Sequence, residues 1–138
     1  MKIVLDTNIL VSGLLQPFGP PGEIVRMVSS GVLELCYDSR ILTEYYEVLG
    51  RPRFHFHLDH VEALLDEIKA FGHVTAAVPL SKRLPDPDDE VFLEVAIAGR
   101  AEYLVTGNLK DYPTPKREGA KVVSPADFIG IYRKRIQP

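Results

Sequence analysis

Ile3, Val4 and Leu5 form an apolar run that stops on a carboxylate, Asp6, and no other stretch narrows the choice of fold so much. A short run without polar alternation fits a strand buried on both faces, as in a parallel sheet. Open α/β sheets gather ligands beyond the carboxyl ends of their strands, so Asp6 stands where such a sheet does chemistry. A helix also begins near Asn8, and aspartate caps helices well. This stretch alone leaves both roles open.

The rest of the chain alternates between helical and strand patterns. Residues 8–15 read as a short helix, closed by the proline- and glycine-rich turn at 16–22. A second helix over about 21–30 carries Ile24, Val25 and Val28 on one face, and a strand is expected over 34–37. Asp38 and Ser39 offer an N-cap for a helix over 40–49 with Ile41, Leu42, Tyr45, Val48 and Leu49 at helical spacing. At ~100° per residue, Glu44 falls at the edge of that apolar stripe and Glu47 nearly opposite its centre. A connector over 50–57 leads to a helix over 59–71, and 74–78 is the next strand expected. Pro87 at a first helical position makes Asp86 the N-cap of a helix ending at Gly99, with Asp88 and Asp89 in its first turn. Strands over 103–106 and 121–123 and a helix starting at Ser124 complete the chain. Five strands separated by helical segments mean a mainly parallel five-stranded sheet in a three-layer α/β/α sandwich. With 138 residues, 46% of them hydrophobic, the chain is expected to form one domain over 1–138.

Composition excludes some classes. The formal net charge of -3 rules out a strongly basic polyanion binder, so any nucleic-acid contact must come from a local patch. The single cysteine, Cys36, has no partner for an internal disulfide and reads as a small buried hydrophobe. No apolar run approaches the ~20 residues of a membrane span and no cleavable signal opens the chain, so a cytoplasmic location is the expectation.

The acids concentrate at four places: Asp6, Glu44, Asp86 to Asp89, and the loop holding Asn108 and Asp111. They converge if the run 79–85 leaves the third strand's carboxyl end and brings the next helix's N-terminus to the same side. Crowded carboxylates repel and lose hydration unless a cation neutralises them. Oxygen donors without histidine or cysteine suit Mg²⁺ or Mn²⁺, and such ions support attack on a phosphodiester. A phosphate-accepting receiver domain would also be acidic and α/β. It places its acceptor aspartate after strand three, where this chain has Val78, Pro79 and Leu80.

Four segments in order resemble the PIN-domain family, in its VapC-like toxin group, over essentially the whole chain. They are Val4-Leu5-Asp6-Thr7-Asn8, Glu44 to Leu49 followed by Arg51-Pro52-Arg53-Phe54, Asp86-Pro87-Asp88-Asp89 followed by Phe92 to Ala96, and Tyr103 to Asn108. The resemblance implies a PIN-like sandwich, often homodimeric, with Mg²⁺- or Mn²⁺-dependent ribonuclease activity held in check by a cognate antitoxin. It places Asp6, Glu44 and Asp89 at the three acidic catalytic and metal-binding positions and Asp86 as a supporting acid. Thr7, Asn8 and Thr106 match polar positions around them. Where the family commonly has a fourth acid this sequence has Asn108, which weakens the metal site by one charge unless Asp111 takes the role or Asn108 ligates through its carbonyl.

Arg51, Arg53, His55 and Phe56, with neighbouring His57, could bind RNA through phosphate contacts and base stacking. The alternative is a solvated loop packed by one phenylalanine. Asn108 also motivates a different functional class, a PIN-like domain of weak or no activity that serves as an RNA-binding or protein-docking module.

Overall fold

The computed structural model describes residues 1–137. A five-stranded, all-parallel sheet runs in the order β3-β2-β1-β4-β5, from β1 (Lys2–Leu5), β2 (Glu34–Tyr37), β3 (His73–Val74), β4 (Tyr103–Val105) and β5 (Val122–Val123). Six helices cover it: α1 (Thr7–Leu15), α2 (Pro20–Ser29), α3 (Ser39–Leu49), α4 (Leu58–Phe71), α5 (Pro87–Ala98) and α6 (Pro125–Ile136). β1 is central because its apolar run can be buried on both faces; Ile3, Val4 and Leu5 are each 0% exposed. The chain steps outward from β1 to β2 and β3, then returns through α5 to β4 on the other side. Right-handed crossovers therefore put α5, which packs on β1, β2 and β4, on the face opposite the helices of the outward steps. The reversal of direction beside β1 is the switch point at which ligands of such sheets bind, and Asp6 follows β1 immediately.

Capping chemistry sets the helix starts. Asp6, Asp38, Asp86 and Ser124 each accept a backbone N–H of the helix they open. The α1–α2 corner is tight. A Cβ on Gly22 would run into the backbone of Pro17, and one on Gly13 would strike Pro21 and Val25, so these two positions admit only hydrogen.

The third strand is shorter than the 74–78 its β-branched residues predict. As an edge strand, β3 pairs only with β2, and β2 ends at Tyr37, whose carbonyl takes a last bond from Thr75 N–H at 2.8 Å. Beyond it Val78 is 68% exposed, so strand propensity found neither partner nor buried face. The chain then runs without regular structure until Asp86, delivering the N-terminus of α5 to the carboxyl ends of the strands. Three 3-10 turns, Pro52–Phe54, Leu109–Asp111 and Thr114–Lys116, lie in the segments between these elements. Among the described residues no helix is long and apolar enough to cross a membrane.

Candidate functional site

Asp6 is buried at the end of β1, and its two carboxylate oxygens have different surroundings. Oδ2 accepts from Thr106 Oγ1 at 3.0 Å and from the Tyr112 hydroxyl at 3.3 Å. Oδ1 has only a long, 3.5 Å capping contact from Asn8 N–H. Asp6 is therefore the α1 cap, but its better hydrogen bonds come from β4's end and the loop after it.

Glu44 arrives from α3. The adjacent Tyr45 is 0% exposed and donates its hydroxyl to the Leu5 carbonyl at 2.6 Å, which ties the middle of α3 to the end of β1. That anchor sets Glu44, half-buried, beside Thr7, whose Oγ1 donates to Glu44 Oε2. Glu47 is exposed and pairs with Arg51 at 3.8 Å, as the helical stripe predicts.

Asp89 comes from the first turn of α5. Asp86 caps that helix by accepting Asp88 N–H at 2.9 Å. Glu90, missed by sequence reasoning because it looks like one more first-turn acid, is buried and holds the approach to the helix: it accepts Leu84 N–H at 2.9 Å and pairs with Arg83 at 3.2 Å. Asp89 Oδ2 is buried without any hydrogen-bond partner, the one such side-chain atom among the described residues. A carboxylate oxygen sealed off in this way needs a proton or a cation.

The charges report the convergence. Burial first, and then the charges of Asp6, Asp111, Asp86 and Glu44, push the Asp89 carboxyl from an ordinary 3.8 up to about 7. Asp6 is raised by burial, against the hydrogen bonds from Thr106, Asn8 and Tyr112, with a further push from Asp111. Glu44 is raised by burial, opposed by Thr7 and assisted by Asp6, Asp88 and Glu47. Burial and the charge of Asp6 drive the Tyr112 phenol far upward, so it remains a donor. Asp6, Glu44, Asp89 and Asp111 thus share one electrostatic environment.

Asn8 and Asn108 take part through the backbone. Both side chains are exposed; Asn8 N–H faces Asp6, and Asn108 N–H donates to Thr106 Oγ1 at 3.1 Å, so Thr106 relays between Asn108 and Asp6. Tyr112 was not foreseen, although an aromatic inside the polar loop 107–113 is a signal that could have found it. Arg51, Arg53, His55 and Phe56 form a separate group. Arg53 lies over the Phe54 ring at 4.7 Å, Phe54 stacks on Phe56 at 5.4 Å, and His55 adopts a left-handed φ of 54°. Among the described residues, no hydrogen bond or ion pair joins these four to Asp6, Glu44, Asp89 or Asp111.

The donors are all oxygen, one is an orphaned buried carboxylate oxygen, and the acids raise one another, which is what a hard divalent cation relieves. Among the described residues no three His, Cys, Asp or Glu side chains meet as a ready-made ligand cluster. Mg²⁺ does not require one, because it usually keeps several waters and is held by one or two carboxylates directly.

A PIN-domain family model matches residues 2–110. The uncharacterized protein MJ1680 of Methanocaldococcus jannaschii is 27% identical over 148 positions, an alignment covering 99% of this chain and 94% of that protein. Among solved structures, a chain in the crystal structure of VapBC2 from Rickettsia felis bound to a DNA fragment from their promoter shares the fold, with a TM-score of 0.54 and 15% identity over 90% of this chain and 98% of that one.

Proposed function

The chain belongs to the PIN-domain family, whose members are in general nucleases that use divalent metal ions, and from that premise we propose that it is a metal-dependent endoribonuclease and the toxin of a toxin-antitoxin pair. The observation that carries the reading is the orphaned, buried Oδ2 of Asp89 in the shared field of Asp6, Glu44 and Asp111. Asp6, Glu44 and Asp89 would hold Mg²⁺ or Mn²⁺, with Asp111 as the fourth acid, because the charge of Asp111 reaches both Asp6 and Asp89. When bound, such an ion supplies an activated water and neutralises charge developing on the phosphodiester.

The chain's own residues do the rest. Thr106 and Tyr112 hold Asp6, Thr7 holds Glu44, and Asp86 caps the helix that presents Asp89. RNA is the substrate we assign, with Arg51 and Arg53 for phosphates and His55 and Phe56 for bases; the stack of Arg53, Phe54 and Phe56 supports this. A cognate antitoxin belongs to the same proposal, supported by the fold shared with a chain of the VapBC2 complex; a second copy of the chain and a cytoplasmic location are proposed with it.

The docking-module reading draws on Asn108 and on the absence of a ready-made ligand cluster. Cleavage of a labelled RNA in Mn²⁺ separates the two. The nuclease reading expects cleavage that stops with a chelator and falls at least ~100-fold in Asp6→Asn. Undiminished cleavage in that variant refutes it. RNA or protein binding that ignores both Asp6→Asn and chelator favours docking.

A further inference from the structure

The loop from Gly107 to Pro113 holds a tyrosine at 0% exposure, an unusual depth for a residue between two exposed stretches of chain. Its backbone is held on both sides: Tyr112 N–H donates to the Leu109 carbonyl at 3.1 Å, and its own carbonyl accepts from Arg117 Nε at 2.7 Å. The ring therefore fixes where the loop lies against the sheet, and the residue immediately before it is Asp111. Packing alone would be served by a phenylalanine. The hydroxyl adds a donor, and a buried tyrosine hydroxyl needs a partner; here the partner is Asp6 Oδ2, which also receives Thr106 Oγ1.

We propose that Tyr112 is a positioning residue for the acidic site: its hydroxyl, with that of Thr106, occupies Oδ2 of Asp6 and leaves Oδ1 for the cation, while its ring pins the loop that carries Asp111. One side chain thus couples two of the four acids, one on the end of β1 and one on the loop after β4. Hydrogen bonds to a carboxylate are charge-assisted and directional, so two of them on one oxygen fix the orientation of the group. Residues that orient metal-binding carboxylates in this way typically govern affinity by ~10- to 100-fold. The inference rests on the cation reading above.

The test is Mn²⁺ titration by calorimetry of the full chain as wild type, Tyr112→Phe and Asp6→Asn, with the melting temperature of each measured free of metal. Tyr112→Phe keeps the ring and is expected to stay folded. Its dissociation constant for Mn²⁺ should rise ~10-fold. Saturating Mn²⁺ should bring its RNA cleavage back toward the wild-type rate with KM for RNA unchanged. Equal Mn²⁺ affinity in wild type and Tyr112→Phe overturns the proposal and leaves the cation reading standing. So does a loss of binding that only follows the fraction of Tyr112→Phe unfolded at the assay temperature. A wild type that binds no Mn²⁺ overturns the cation reading and this inference with it.

Discussion

Metal-free protein should lose stability as pH rises from 5 to 8, and Asp89 should be the main reason. Folded Asp89 keeps its proton up to about 7, whereas the unfolded chain releases it near 3.8. Between those values the folded state binds more protons, so raising pH favours unfolding. For an isolated group, the step from pH 5 to 8 would cost ~2.5 kcal/mol. Asp89 shares its charge with Asp6, Glu44 and Asp111, and water reaches part of its side chain, which together reduce the expected cost to ~1 kcal/mol. In a domain of this size that is a fall of ~3–5 °C in melting temperature. The assay is thermal or urea unfolding in chelator at pH 5, 6, 7 and 8, for wild type and Asp89→Asn. Subtracting the variant's slope removes the contributions of groups other than Asp89. Wild type should show the extra fall, and Mn²⁺ at pH 8 should restore it in wild type more than in the variant. Parallel slopes for the two proteins would refute the reasoning, because Asp89 would then carry no excess proton in the folded state.

One further substitution probes what holds the site in place, a second probes the tight α1–α2 corner, and a third probes the basic connector. Tyr45→Phe deletes the bond to the Leu5 carbonyl and should lower stability by ~1–2 kcal/mol in urea unfolding; no change would mean that α3 does not depend on that anchor. Gly22→Ala forces a methyl group against the Pro17 backbone and should cost ~1–3 kcal/mol by the same measurement. Phe56→Ala should weaken single-stranded RNA binding by ~1–3 kcal/mol in a filter or anisotropy assay performed with Asp6→Asn to prevent cleavage; unchanged affinity would remove the connector from the RNA path.

Elements whose sequence pattern follows from local chemistry were legible. Ile3 to Leu5 gave the central strand because a run without alternation has only one comfortable place in such a fold. Pro87 with Asp86 located the start of α5, and the angular position of Glu44 against Glu47 separated the half-buried acid from the exposed one. What escaped depends on partners distant in sequence. The strand expected over 74–78 shrank because β2 stops at Tyr37, which no property of 74–78 could announce. Tyr112 and Asp6 are separated by 106 positions, so their hydrogen bond is invisible to any periodicity. Glu90 reads as a helix-dipole acid, and only the fold of 80–86 reveals that it holds Leu84 N–H. The family's motifs supplied the order of the acids, and the structure showed that Asp111 shares their field while Asn108 contributes its backbone N–H.

Anomalous diffraction from a crystal of the full chain soaked in Mn²⁺ tests the account most directly. A peak between Asp6 and Asp89, within reach of Glu44 and Asp111 and lost in Asp6→Asn, is the predicted result. A soaked crystal with these carboxylates free of Mn²⁺, or with the ion bound elsewhere on the surface, would contradict the claim that a divalent cation completes this pocket.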